Sequence, residues 1–419
     1  MHPNSTQLTH IIDALTLILP LRSPADVSLR YFFRDRPNLS GRDRAVVADA
    51  VYNILRRRRL LETLAPQSTA RQLALLALVK LNGANIGGLA PLLRRGEAEW
   101  LAAAKATDVN SLPFAVQADF PDWIAEKLVA QYGEAETMQL ARALREPAPL
   151  DLRVNTMLAN REEILTALQQ EGMEATATPH SPMGIRLLEK PALQTHPLFL
   201  QGKVEVQDEG SQLLGLLLAP KRRDMVVDFC AGAGGKTLLL GALMHSQGRL
   251  YAFDVSEKRL NNLKPRLARS GLSNVQPQRI DSERDTKIKR LAGKIDRVLV
   301  DAPCTGLGTL RRNPDLKWRQ TPEDVVELNA KQSSILEAAA TLVKTGGRLV
   351  YGTCSLLREE NEDVVEGFLS KHADFVKVNA QEVLAKQQVN IECGEMMRLS
   401  PHRHGTDGFF AVVLERVPV

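Results

Sequence analysis

The spacing of apolar residues changes character twice along the chain. Up to about Glu146 it follows a helical period only. Ser40 is a natural N-cap for GRDRAVVADAVYNILRRRRLLETL, in which Val46, Val47, Ala50, Val51, Ile54 and Leu55 recur on one face. ARQLALLALVKL reads as a second helix and PDWIAEKLVAQY as a third, with Pro121 in its first turn. The Gly- and Asn-rich NGANIGG lies between them. Pro147 and Pro149 mark a boundary, after which LDLRVNT reads as a strand, REEILTALQQEG as a helix capped by Asn160, and EATATP and GIRLLE as strands. VEVQDEGSQLLGLLL then runs from strand into helix.

From about Arg222 the pattern alternates. MVVDF, GRLYAFD, NVQPQRID, DRVLVDAP and GGRLVYGTCS are short apolar runs, separated by helical stretches such as SEKRLNNLKPRLARSG and PEDVVELNAKQSSILEAAATLV. Pro265 is expected to bend or break the former. Alternation of this kind predicts an α/β fold with a doubly wound, mostly parallel sheet. The expected organisation is an all-helical domain over 1–146, a small α+β segment over 147–221 and the α/β domain over 222–419. Ligands of doubly wound sheets bind outside the carboxyl ends of the strands. Those ends carry Asp228, Asp254, Asp281, Asp301 and Cys354.

Composition narrows the class without naming a function. The chain has 419 residues, of which 44% are hydrophobic and 25% charged. That balance belongs to a globular protein of two or three domains. A membrane helix needs roughly 18 consecutive apolar residues, and no run in the chain is that long. Asp13 interrupts an N-terminus that lacks a basic region, so no secretory signal is expected either. The net charge of +5 permits a polyanionic partner. Arg56 to Arg59 fit a phosphate contact and a solvated helix end equally well. Four cysteines (Cys230, Cys304, Cys354 and Cys393) form no CxxC pair; no metal is expected, and a reducing, cytoplasmic setting is the simplest reading. No feature specifies an oligomer, and a monomer is the expectation.

Three ligands compete for the loop DFCAGAGGKT after the first α/β strand. A phosphate loop would need glycine where Cys230 stands, and a dinucleotide loop would need glycine or alanine where Thr237 stands. S-adenosylmethionine needs only a tight glycine turn, with Asp254 available to its ribose; an ordinary tight turn remains open as well. The discriminating feature is a pair of cysteines, Asp301-Ala302-Pro303-Cys304 and Gly352-Thr353-Cys354-Ser355, each directly after an apolar strand. One free cysteine is usually a small buried hydrophobe, as Cys393 is expected to be. Two at corresponding strand ends are harder to read that way.

DAPCTGLGTLRRNPDLKW, GTCSLLREENEDVV, DFCAGAGGKT and DGFFAVVLE resemble the RNA cytosine-5 methyltransferases of the RsmB/NOL/SUN family, across essentially the whole catalytic half. The likeness extends upstream through RVN (Arg153 to Asn155) and VQDEGSQ (Val206 to Gln212), and the N-terminal helices resemble a NusB-like RNA-binding domain. CAGAGGKT departs from the family's usual CAAPGGKT, which loosens the loop and bears on cofactor affinity. The resemblance implies a Rossmann-like class I methyltransferase domain, S-adenosyl-L-methionine as cofactor and RNA as substrate, with 16S ribosomal RNA foremost.

By the same resemblance Cys354 is the nucleophile, Cys304 assists proton removal or release, and Asp301 hydrogen-bonds the base. The loop residues Cys230, Ala231, Gly232, Ala233, Gly234, Gly235 and Lys236 hold the cofactor with Asp254, Asp281 and Asp301, although Asp254 and Asp281 would also serve as simple strand-end caps. Cysteine with a pKa of about 8.5 is a few per cent thiolate at pH 7, so a cation such as Lys236 is wanted nearby. A target base must be unstacked to reach such a site. Arg311, Arg312, Lys317, Trp318 and Arg319 suit a single-strand groove, or a solvated loop with one packed Trp. The rivals are a transfer-RNA methyltransferase of the same family, a DNA-type enzyme with Cys304 as nucleophile, which the TCS motif opposes, and a non-catalytic ribosome-assembly factor.

Overall fold

The computed structural model describes residues 3–418. They divide into two compact units, residues 3–147 with 309–321, and residues 148–308 with 322–418. The strip Thr309–Thr321, contiguous in sequence with the α/β half, thus packs with the helical residues. No helix among the described residues is long and apolar enough to cross a membrane.

In the first unit the main helices span Ser5–Ile18, Ala25–Arg34, Gly41–Arg56, Arg58–Leu64, Ala70–Leu76, Glu97–Ala106 and Asp122–Arg145. Leu15, Val47, Val51, Ile54, Leu55, Leu61 and Leu75 fill its core. Ser40 caps as its side chain suggests, its hydroxyl accepting from the Asp43 N–H at 3.1 Å. The long helix expected after it breaks at Arg57, where φ −111° and ψ 19° leave the helical region. Pro121 is the N-cap of the last helix rather than a first-turn residue, and that helix kinks at Gly133 (φ 79°).

The second unit holds two sheets. Four short strands, β1 (Leu150–Val154), β2 (Ala175–Ala177), β3 (Gly184–Leu187) and β4 (Val204–Val206), form an antiparallel sheet in the order β2-β3-β1-β4. The helix Arg161–Gln170, capped by Asn160, buries Ile164 and Leu168 among Leu152, Val154, Ile185 and Leu187.

The large sheet comprises β5 (Met225–Asp228), β6 (Arg249–Asp254), β7 (Val275–Arg279), β8 (Ile295–Asp301), β9 (Val343–Thr353), β10 (Phe375–Val378), β11 (Met397–Leu399) and β12 (Phe409–Arg416). Its order is β10-β12-β9-β8-β5-β6-β7, with β11 beside β12. Strands β5 to β9 run parallel, and β12 returns antiparallel to β9. Side chains alternate between faces along a strand. Val226, Leu250, Leu299 and Val350 therefore join the core under the helices Glu209–Leu218 and Gly235–Leu243, while Val227, Phe253, Val298 and Tyr351 join the core under Pro322–Ala340. Continuous apolar strands are thus buried on both faces, the doubly wound arrangement the sequence predicts.

Two prolines show how position decides their effect. Pro277 sits in β7 at the sheet edge, where a missing N–H is tolerated. Pro265 does not break the helix Glu257–Ser270: it lies on the exposed side, where water can take the freed Asn261 carbonyl, while Leu260 and Leu263 anchor the buried side.

Candidate active site

Strand order reverses about β5 and β8, and the crevice at such a reversal lies beyond the carboxyl ends of the strands. The glycine loop follows β5. Gly232 (φ 56°) and Gly234 (φ 84°) take left-handed conformations, and Gly234 starts the helix Gly235–Leu243. Residues with a side chain are disfavoured there. Asp254, at the end of β6, holds this loop: one carboxylate oxygen accepts the Gly232 N–H at 2.8 Å and the other the Ser256 N–H at 2.7 Å. Arg153 and Arg266 hold it from the other side, donating to the carbonyls of Gly235 and Ala233, each at 2.6 Å. Arg153 also donates to Gln207 at 2.6 Å. The RVN and VQDEGSQ segments thus support the loop. Burial brings the Arg153 guanidinium down to about 10.

Asp281 stands apart. Its side chain is 84% exposed and pairs with Arg279 at 3.3 Å, a surface position. Asp228, placed by sequence at a ligand-binding strand end but given no part in holding the cofactor, is buried. It accepts from the Thr237 hydroxyl at 2.7 Å, yet its other oxygen is buried without a partner. Burial pushes its carboxyl up to about 7. A Cβ at Gly232 would meet open space. An orphaned carboxylate oxygen and room above a glycine turn fit a ligand carrying a cationic group, as S-adenosylmethionine does.

The two cysteines come together. Their sulfurs are 3.3 Å apart, because β8 and β9 pair in parallel and end at the same level, Asp301 opposite Gly352. Lys236 donates to Asp301 at 2.7 Å and lies 5.6 Å from the centre of the Phe409 ring. Burial works against the Lys236 ammonium, but Asp301, with Cys354 and Asp228, holds its pKa above the ordinary lysine value. The hydrogen bond with Cys354, burial, and the charges of Cys354 and Glu360 all push the Cys304 thiol well up. Cys354 is therefore the sulfur with a cation in its field, and Cys304 is the one facing a carboxylate. Cys230 is pushed well up by burial, and buried Cys393 to about 11.

Sequence reasoning missed what sets this geometry. Glu360, fully buried, accepts the Thr305 N–H at 2.8 Å, the Thr305 hydroxyl at 2.5 Å, Gln332 Nε2 at 3.0 Å and the Ser355 hydroxyl. One carboxylate therefore clips together the residues that follow the two cysteines. Asn361 accepts from Thr353 Oγ1 at 2.5 Å and donates to the Ser355 carbonyl at 3.1 Å. The signal was the polar run REEN so soon after a strand end. In the first unit, Lys317 and Trp318 are not groove residues. The Lys317 ammonium donates to the carbonyls of Asp119 (2.6 Å) and Arg56 (2.9 Å), and the Trp318 indole to that of Leu55 (2.8 Å).

Residues 215–415 match the family model described as 16S rRNA methyltransferase RsmB/F, and residues 120–194 match the ferredoxin-like domain of the same proteins. A probable ribosomal RNA small subunit methyltransferase B of Synechocystis is 34% identical over 94% of this chain and 96% of its own length. One of Bacillus subtilis is 34% identical over 76% of this chain and 71% of its own. Among solved structures, a methyltransferase homolog from Pyrococcus horikoshii superposes with a TM-score of 0.63 at 29% identity, covering 74% of this chain and all of its own. The cofactor is S-adenosyl-L-methionine. The chain belongs to the RsmB/F family of 16S rRNA methyltransferases.

Proposed function

We propose that this enzyme methylates carbon 5 of a cytosine in small-subunit ribosomal RNA through a covalent adduct between Cys354 and carbon 6. The observation that carries the reading is the cysteine pair, 3.3 Å apart at the ends of β8 and β9 and unequal in electrostatic surroundings. The Cys354 thiolate attacks carbon 6, and the C5=C6 electron pair becomes available at carbon 5. When bound, S-adenosylmethionine would supply the methyl group to that carbon, the electron pair of its S–CH3 bond staying on sulfur so that S-adenosylhomocysteine leaves. A base then takes the carbon-5 proton, the C–H electron pair restores the double bond, and the C6–S bond breaks to return the thiolate. Cys304 is the group placed to assist that release, and Asp301, fixed by Lys236, hydrogen-bonds the base.

Asp228, Asp254 and the loop Cys230 to Lys236 are the residues that would hold the cofactor, with Asp301 bordering it. Exposed Asp281 is the weakest member of the set proposed from sequence. The helical N-terminal residues would contribute RNA binding, and the setting would be the cytoplasm.

Incubation of Cys304→Ala with a small-subunit rRNA transcript and cofactor should trap a covalent complex, visible as a slow band on a denaturing gel. Cys354→Ala should give no band and no methylation. A band from Cys354→Ala alone would reverse the two roles. Bisulfite mapping of the wild-type product, with transfer RNA as the competing substrate, reads the position and the substrate class.

A further inference from the structure

The helical unit contains a pocket of about 630 Å³ that the methyltransferase chemistry does not use. Volumes of roughly 300–1,000 Å³ are usual for ligand sites. Its lining combines apolar side chains such as Ile11, Ile54 and Leu78 with Arg56, Arg57, Lys80 and Arg145 and the amides Asn53 and Asn82. The arginines are imperfectly neutralised. Fully buried Asp119 takes Arg57 at 2.5 Å and lies 3.8 Å from Arg145, while Lys317, also buried, adds a fourth cationic side chain beside it. The acids that line the pocket, Asp49 and Glu146, are exposed.

Two further observations bear on these cations. Arg56 spends one nitrogen on the Arg311 carbonyl at 3.0 Å, but its Nε is buried without a partner. Burial, with the neighbouring arginines, outweighs the Asp119 charge and brings Lys317 down to about 7, and burial with Arg57 likewise brings Arg145 to about 10. Under-compensated buried cations are costly, and a bound anion offsets them. Arginine forks match phosphate oxygens, and the apolar part of the lining accepts a base or ribose face.

We infer that this pocket binds a phosphodiester of the RNA substrate with its attached nucleoside. The inference rests on the RNA reading above and adds a second, non-catalytic contact to it. It is tested on the full chain by fluorescence anisotropy with a labelled rRNA oligonucleotide at several salt concentrations. Asn53→Glu places a carboxylate in the wall and should weaken binding about tenfold. Arg56→Gln should reduce the salt slope by nearly one, the loss of roughly one phosphate contact. Circular dichroism and calorimetry with the cofactor report on folding in both variants. Wild-type affinity and salt slope in both would overturn the inference. So would wild-type RNA affinity in Asn53→Glu accompanied by loss of a thermal shift that inorganic phosphate gives the parent, because the pocket would then hold a free anion. Methylation by the parent chain tests the functional reading separately: a chain that binds RNA through the pocket but does not methylate it sinks only that reading.

Discussion

A buried carboxylate must recover by hydrogen bonding what it loses in hydration, and Glu360 does so with four donors that tie the Cys304 loop to the Cys354 loop. After the hydrogen bond with Cys354, burial and the Cys354 charge, the charge of Glu360 also raises the pKa of the Cys304 thiol. The two effects separate by substitution. Glu360→Gln keeps the shape and, with the hydroxyls rotated to accept, most of the bonds. It should stay within about 1 kcal/mol of the parent in stability while lowering the pKa of Cys304, read as faster iodoacetamide labelling at that site by mass spectrometry. Glu360→Ala leaves several buried donors unsatisfied and should cost about 3 kcal/mol or more. Unchanged Cys304 labelling in Glu360→Gln would show that its charge is irrelevant. Sequence could nominate both cysteines, because strand ends are local features. It gave no role to Glu360, whose partners lie on three different segments.

At the scale of elements, the site depends on two loops and the terminal strand passing close together. The Gly308 N–H donates to the Cys354 carbonyl and the Gly408 N–H to the Gly308 carbonyl, both at 2.8 Å. A Cβ at Gly308 would stand 2.2 Å from the Gly408 carbonyl oxygen and 2.8 Å from that of Cys354, both backbone atoms that cannot rotate aside. Gly308→Ala should therefore cost about 1–3 kcal/mol by overpacking and separate the two cysteines, with methyl transfer falling at least tenfold. Gly367, in the helix Glu362–Leu369, has nothing within 4 Å of an added Cβ. Gly367→Ala should accordingly gain about 0.5–1 kcal/mol. Equal behaviour of the two variants in urea unfolding and methylation assays would refute the crossing argument. The five parallel strands β5 to β9 were legible because buried parallel strands are mostly apolar runs, whereas their order in the sheet and the antiparallel strands β10 to β12 were not. The crossing was not, because nothing in TGLGTL or TDGFF marks which glycine meets which backbone.

Over the whole molecule, the strip Thr309–Thr321 is where sequence and structure part most. Its basic and aromatic residues suit either a binding groove or a solvated loop with one packed Trp; Trp318 is indeed packed, and Lys317 with it, their partners being Leu55, Arg56 and Asp119, far upstream in the chain. Only the fold reveals that they anchor within the helical unit. This gives each unit a buried titrating group and opposite dependences of stability on pH. Asp228, in the second unit, has its folded pKa raised from 3.8 to about 7. Between those values the folded state holds the extra proton, so stability falls as pH rises from 4 to 7. Lys317, in the first unit, has its folded pKa lowered from 10.5 to about 7. Between those values the unfolded state holds the extra proton, so stability rises from pH 7 to 10. All three tryptophans (Trp100, Trp123 and Trp318) lie in the first unit, so their fluorescence follows that unit, while hydrogen exchange in β5 and β8 follows the second. Asp228→Asn keeps the acceptor for Thr237 and should gain stability over the parent progressively from pH 4 to 7 in the exchange measurement, without cofactor present. Lys317→Met removes the ammonium, so its stability relative to the parent should decline from pH 7 to 10 in the fluorescence measurement. Variant and parent curves that run parallel across either window would show that the corresponding side chain does not change its protonation on unfolding.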